Sequence, residues 1–161
     1  THAVLRTLKP CWVSELAMCC ANSASNLYLS LPEIQVITYS MSKKILIIAG
    51  ATASGKSAHA LSVAAEYNGV IINADSQQLY RDLPILTARP TEAEQAGIPH
   101  KLYGILEADE QASTGKWLRF AKMEIDWAHS QGLTPIVVGG TGLYIKALME
   151  GIAEVPEIDK D

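Results

Sequence analysis

The segment Gly50-Ala51-Thr52-Ala53-Ser54-Gly55-Lys56-Ser57 carries the residue types that hold a phosphate, at the spacing a phosphate requires. Gly50 and Gly55 let the backbone bend around an anion, Lys56 reaches phosphate oxygens, and the Ser57 hydroxyl is placed to hold Mg²⁺. The apolar run Ile45-Leu46-Ile47-Ile48-Ala49 leads into this segment and an amphipathic stretch leaves it. A strand therefore delivers the chain to a turn that opens a helix, whose free N–H groups and positive dipole end point at one small volume. Two further stretches put polar residues directly after short apolar runs: Asn73-Ala74-Asp75-Ser76 follows Val70-Ile71-Ile72, and Gly139-Gly140-Thr141-Gly142 follows Pro135-Ile136-Val137-Val138. In an open parallel sheet, ligands sit at the carboxyl ends of the strands, so these stretches and the loop converge on one pocket. Taken singly, Asp75 also suits a turn or a helix cap, and Thr141 an N-cap. His100 after Pro99 reads as a structural or surface residue, and Trp117 and Trp127 as packing residues.

The elements that must position these residues follow from periodicity. Leu61, Ala64 and Ala65 put small apolar residues on one face of the helix after the loop, which should end near Gly69. Val70-Ile71-Ile72 reads as a second buried strand. Thr91 and Glu94 form a capping box for a short helix that stops before Gly97 and Pro99, and Leu102-Tyr103-Gly104-Ile105 reads as a third strand. Leu118, Ala121, Ile125 and Ala128 recur at helical spacing between Ser113 and Gln131, with Gly132 closing the helix. Pro135 to Val138 is the next strand, and Leu143 to Glu150 a last helix stopped by Gly151. Strands alternating with helices mean parallel βαβ units. The expected fold is α/β: a P-loop NTPase-like parallel sheet flanked by helices, and truncated.

The chain has 161 residues, enough for one domain, and its 48% apolar content suffices for a core. No apolar run approaches the length of a membrane span, and Glu15 interrupts the early apolar stretch, so a cytoplasmic protein with no membrane partner is expected. A net charge of -4 leaves no basic footprint for nucleic acid over the chain as a whole. Cys11, Cys19 and Cys20 lack partners at zinc spacing and read as free thiols. All 11 glycines fall at Gly50 or later and all three cysteines before residue 21. This composition boundary divides an N-terminal extension, residues 1–40, from a catalytic core, residues 41–161, that opens on Met41-Ser42-Lys43-Lys44. The extension is expected to lie upstream of the natural start; the rival reading, an organelle leader carrying Arg6 and Lys9, is opposed by Glu15 and Glu33. The acidic stretch Glu154 to Asp161 reads as a solvated connection.

The segments GATASGKS (Gly50–Ser57), INADSQQLYR (Ile72–Arg81), TARPT (Thr87–Thr91), PHKL (Pro99–Leu102) and VVGGTGLYIKAL (Val137–Leu148) together resemble the tRNA dimethylallyltransferases, also called tRNA isopentenyltransferases. The likeness covers residues 41–161, the N-terminal part of that family's pattern. Ala51 stands where proline is common, Pro84 and Leu86 fall in a stretch that usually reads Asp-Ile-Gly, and Arg89 replaces lysine. The resemblance implies transfer of a dimethylallyl group from its diphosphate to N6 of an adenine beside a tRNA anticodon, with Mg²⁺. It implies that Gly50, Ala51, Thr52, Ala53, Ser54, Gly55, Lys56 and Ser57 bind the diphosphate, with Ser57 on the metal. It further implies that Asp75 is the general base, that Thr141 hydrogen-bonds near the bridging oxygen, and that Asp75, Ser76, Gln77, Gln78 and Thr141 meet the tRNA. The adenine must leave the anticodon-loop stack to reach such a pocket. A monomer is expected.

The chemistry agrees with that implication. An allylic diphosphate reacts as its C–O bond breaks, so negative charge on the leaving group needs stabilising, and an aromatic amine must shed a proton on alkylation. Three other readings remain open: a small-molecule kinase whose loop holds ATP, an enzyme that prenylates free adenine nucleotides, and an inactive fragment that only binds diphosphate. Family members run to roughly twice this length, with a helical insertion that grips tRNA, so residues 1–161 are expected to be incomplete as an enzyme.

Overall fold

The computed structural model describes residues 28–31, 34–40 and 44–151. In chain order the elements are β1 (Tyr28–Leu31), β2 (Ile34–Ser40), β3 (Lys44–Gly50), α1 (Lys56–Glu66), β4 (Gly69–Asn73), β5 (His100–Lys101), α2 (Thr114–Ser130), β6 (Thr134–Gly139) and α3 (Gly142–Glu150). A short 3₁₀ turn, Gln77–Leu79, follows β4. They build one six-stranded sheet in the order β1-β2-β3-β6-β4-β5. The four strands from β3 to β5 pair in parallel, with Ile47 opposite Val137 and Ile72 opposite Val137 on its other side.

Burial on both faces explains the near-continuous apolar strands. Ile48, Ile71, Ile136 and Val138 face one way and pack on Ala60 and Ala64 of α1, whose small side chains admit the helix close to the sheet. Their strand neighbours Ile47, Ile72 and Val137 face the other way, onto Leu118, Ala121 and Ile125 of α2 and Tyr144 and Ile145 of α3. Alternation with period 2 along each strand thus feeds two cores. The α2 helix starts where the sequence places it, because the Ser113 hydroxyl accepts the Lys116 N–H at 3.2 Å. Trp117 is the packing residue expected: fully buried and stacked on Tyr144 with ring centroids 4.5 Å apart. Trp127 is partly exposed instead, with the Lys101 ammonium 4.1 Å from its ring centroid.

Two local expectations need correction. The third parallel strand is His100–Lys101, and residues 102–105 leave the ladder because Leu102 takes a left-handed conformation, φ 63°. The Thr91–Glu94 box does form, with the Thr91 N–H donating to Glu94 Oε2 at 2.8 Å. Yet Ala96 at φ 51° and Gly97 at φ 76° end the coil after one turn, so no helix develops. Ahead of β3, β1 and β2 pair antiparallel, and β2 pairs with β3 from Ile34 opposite Gly50 to Ser40 opposite Lys44. The composition boundary falls between two hydrogen-bonded neighbours. The cysteines and the acidic stretch Glu154 to Asp161 lie outside the described residues.

Between β3 and β4 runs β6, and its carboxyl end passes the end of β4 with no space to spare. A Cβ at Gly139 would lie 2.2 Å from the backbone carbon and oxygen of Ala74. Backbone cannot yield as a flexible side chain can. Gly139→Ala is therefore expected to lower unfolding free energy by about 1–3 kcal/mol, the usual penalty for overpacking, read as a fall in the urea midpoint at unchanged m.

Candidate active site at three strand ends

The phosphate loop occupies the connection from β3 to α1. Gly55 caps the helix in the left-handed region at φ 82°, where a side chain is rarely accepted, and no side chain caps the helix there. The first-turn N–H groups of α1 therefore have their ordinary role at a helix start open to an anion. Ala53 shares the left-handed conformation at φ 63°, a cost carried by a residue without glycine's freedom. Lys56 Nζ donates to the Ala51 carbonyl at 2.8 Å, so the ammonium lies across the loop. Ser54 Oγ is buried with no hydrogen-bond partner. An unpaired hydroxyl inside a phosphate loop is an orphan that a bound anion would satisfy.

At the end of β4 a buried amide organises the next turn. Asn73 is fully buried; its Oδ1 accepts the Asp75 N–H at 2.9 Å, while its Nδ2 donates to the carbonyls of Asp75, at 2.9 Å, and Leu102, at 3.0 Å. Its own carbonyl accepts the Trp117 indole N–H at 2.8 Å. Asn73 thus ties the Asp75 turn to the segment after β5. Asp75 Oδ1 accepts the Gln77 N–H at 3.0 Å, which starts the 3₁₀ turn and fixes the carboxylate. Asp75 is thus a turn residue whose carboxylate is half-buried at a strand end.

Thr141 is the N-cap residue of α3, yet its hydroxyl does not cap that helix. Thr141 Oγ1 instead accepts the Ser76 N–H at 3.0 Å, across 65 positions of sequence. Accepting one bond orients the hydroxyl and leaves its proton free to donate.

A cleft of about 330 Å³ joins these pieces. Its lining takes Thr52, Ala53, Gly55, Lys56 and Ser57 from the loop and the start of α1, Asp75, Gln78, Thr87 and Ala88 from the segment after β4, Tyr103 from the segment after β5, and Val138 and Gly139 from the end of β6. Burial pulls the Lys56 ammonium below the usual lysine value of 10.5, and the Asp75 carboxylate pushes it partly back. Burial, aided by Asp75, drives the Tyr103 phenol far above its ordinary value, so it stays protonated. His100 is held below the usual imidazole value by burial, against the raising effect of Ile98, whose carbonyl lies 2.8 Å from Nδ1.

The loop residues and Asp75 come together as the sequence leads one to expect. Thr141 and Ser76 are bonded to each other and are not among the residues that line the cleft; Gln77 is exposed on the 3₁₀ turn. Gln78 lines the cleft but already spends its amide on the Thr87 carbonyl, at 2.8 Å. Sequence reasoning passed over Asn73 and Tyr103. An asparagine closing a run of buried strand residues was a signal for the first; nothing local marked the second. Among the described residues, no group of three or more His, Cys, Asp and Glu is placed to hold a metal, and no helix is long and apolar enough to cross a membrane.

A family model described as IPP transferase matches residues 78–161, and one described as isopentenyl transferase matches residues 43–107. The chain belongs to the IPP transferase family. A relative from Rhodospirillum rubrum named tRNA dimethylallyltransferase is 55% identical over 117 residues, covering 73% of this chain and 36% of its own length. One from Zymomonas mobilis with the same name is 55% identical over 114 residues, covering 71% of this chain and 36% of itself. Among solved structures, a tRNA isopentenylpyrophosphate transferase from Staphylococcus epidermidis matches with a TM-score of 0.63 at 39% identity, over 68% of this chain and 36% of that one. A eukaryotic dimethylallyltransferase described as acting on tRNA matches with a TM-score of 0.64 at 35% identity, over 67% of this chain and 27% of that one. The chain spans little more than a third of the length of these curated family members, 36% in each case.

Two outcomes are expected at this site. Asn73→Leu strands the Asp75 and Leu102 backbone groups and should cost about 1–3 kcal/mol, the penalty for partly buried polar groups left unpaired, measured by urea denaturation. Affinity for inorganic diphosphate should fall as pH rises through a Lys56 pKa lying below 10.5, because the bound form needs the cation and burial favours the neutral amine. Titrations across the alkaline range would read this midpoint. Tyr103 and Tyr144, both shifted upward, do not compete with Lys56 for it.

Proposed function

We propose that this chain carries the donor site and the base of a tRNA dimethylallyltransferase. The observation that supports it most directly is the single cleft of about 330 Å³ that holds the phosphate loop and Asp75 at once. The donor is dimethylallyl diphosphate and the acceptor is N6 of an adenine beside the tRNA anticodon. The allylic C1–O bond breaks and its electron pair leaves on diphosphate, the N6 lone pair forms the new C–N bond, and the N6 proton passes to the Asp75 carboxylate.

Each residue then has a physical task. Loop amides, the Lys56 ammonium and the Ser54 hydroxyl donate to the diphosphate and stabilise the charge it gains as it departs. Thr141, oriented by the Ser76 N–H at 3.0 Å, offers its proton toward the bridging oxygen. Asp75 is held in place by Gln77 and Asn73, so the base needs no rearrangement before it acts. Ser76, Gln77 and Gln78, on the segment that follows Asp75, would meet the tRNA around the target base.

Mg²⁺ suits this donor set. It is a hard cation that takes few protein oxygens and prefers substrate phosphates and water, and Ser57 at the start of α1 supplies one hydroxyl oxygen beside the loop. Ser57 would hold it, and the ion would add positive charge beside the leaving group.

Tests belong in a protein of the relatives' full length. Lys56→Ala should lower turnover with dimethylallyl diphosphate by orders of magnitude and weaken donor binding, because the strongest point charge on the leaving group is lost. Unchanged values would mean that the diphosphate sits elsewhere. Asp75→Asn keeps the shape and removes the base, so single-turnover transfer to tRNA should slow by roughly 10²–10⁴-fold while donor affinity survives. An unaltered rate would reduce Asp75 to a turn residue. Transfer of the γ-phosphate of ATP to a small acceptor, in place of prenyl transfer, would favour a kinase.

A further inference from the structure

With the leaving group at the loop and the base at Asp75, the transferred five-carbon group must cross the cleft between them. The apolar side chains that line this cleft are those of Ala53, Ala88, Val138 and Tyr103. Tyr103 is the only aromatic residue and by far the largest of these. Its placement is heavily determined: Leu102, just before it, is buried in the left-handed conformation at φ 63°, and its carbonyl is held by Asn73 Nδ2 at 3.0 Å. Just after it, the Gly104 N–H donates to the Gln78 carbonyl at 3.0 Å. The ring is tilted 50° against His100 with centroids 5.5 Å apart and packs against the core beneath α1. Backbone strain of this kind persists where the surroundings over-determine it, commonly beside a functional group. The phenol hydroxyl, by contrast, has no hydrogen-bond partner among the described residues, so no polar contact explains why the ring is brought into the cleft.

We propose that Tyr103 is a substrate-contacting residue whose ring borders the reacting allylic carbon. The proposal rests on the prenyl-transfer reading above. As the C1–O bond breaks and its electron pair goes to the diphosphate, positive charge spreads over the allylic carbons until N6 donates its pair and gives its proton to Asp75. An aromatic face attracts such a charge in a site where water is excluded, and the small aliphatic neighbours do not. The ring also displaces water that would capture the same carbon. The hydroxyl has no part in this, and the ring is what matters.

The experiment uses an enzyme of the relatives' full length, with Tyr103→Phe, Tyr103→Leu and Tyr103→Met, and thermal melts as a folding check. Met fills most of the ring's volume without a π face and serves if Leu does not fold. Single-turnover transfer of the dimethylallyl group to unmodified tRNA gives the chemical step; affinity for the unreactive thiolo analogue of dimethylallyl diphosphate gives binding alone. Phe should keep the rate within about twofold. Leu and Met should slow it by roughly 3- to 30-fold, the range for a desolvated cation–π contact, with analogue affinity changed far less. A Leu or Met variant that transfers at the unmutated rate would overturn the proposal, as would a Phe variant as slow as Leu, which would assign the effect to the hydroxyl. Equal losses in rate and analogue affinity would also overturn it, leaving Tyr103 as a wall only. If the unmutated enzyme transfers no dimethylallyl group to tRNA, the failure lies with the prenyl-transfer reading instead.

Discussion

The site depends on backbone pairing between the ends of β4 and β6. The Ala74 N–H donates to the Val138 carbonyl at 2.8 Å, and the Ala74 carbonyl accepts the Thr141 N–H at 3.2 Å. These bonds continue the parallel ladder past the last strand residues and hold Asp75 beside Thr141. Close approach is possible only because residue 139 is glycine, whose absent Cβ would otherwise meet the Ala74 backbone at 2.2 Å. The Ser76 to Thr141 hydrogen bond closes the same seam. Because β6 also pairs with β3, the seam locates the phosphate loop relative to the carboxylate through strands rather than through flexible side chains. Sites built on such elements hold their geometry better than sites on free loops.

Charge within this frame is arranged in opposition. Lys56 and Asp75 line one cleft, and the carboxylate partly sustains the ammonium against the burial that would neutralise it. The alkylation proposed above, in which one partner gains negative charge and the other loses a proton, would be served by a cation and a carboxylate in the same cleft. The phenols of Tyr103 and Tyr144 stay neutral beside Asp75, since burial and that carboxylate both oppose their ionisation. Asn73 joins the Asp75 turn to the segment that carries Tyr103, because one buried amide serves both that turn and the Leu102 carbonyl.

The hairpin of β1 and β2 places the loop-bearing strand inside the sheet. With β2 on one side and β6 on the other, β3 has both backbone edges paired. An unpaired edge on a strand as apolar as Lys44–Gly50 would invite pairing with another chain. Pairing residue by residue from Gly50 to Lys44 also anchors the approach to the phosphate loop.

The sequence by itself determined whatever depends on neighbours along the chain. The loop, its helix, the stretch of α2 from Ser113 and the continuous apolar strands of two-sided burial are local patterns, and each was legible from residue types a few positions apart. So was the gathering of the loop and Asp75 at neighbouring strand ends, which follows from parallel βαβ order. Tertiary structure alone decided what depends on contacts far apart in sequence. The insertion of β6 between β3 and β4, the pairing of β2 along the edge of β3, and the Thr141 hydroxyl turned from its own helix to Ser76 all involve partners chosen by the fold. Residues 102–105 show the limit most plainly: their apolar pattern suits a strand, but Asn73, 29 positions away, takes the Leu102 carbonyl and turns the chain out of the ladder. That bond exists only once both segments are packed, so no reading of either segment alone could find it, or the ring of Tyr103 that it delivers to the cleft.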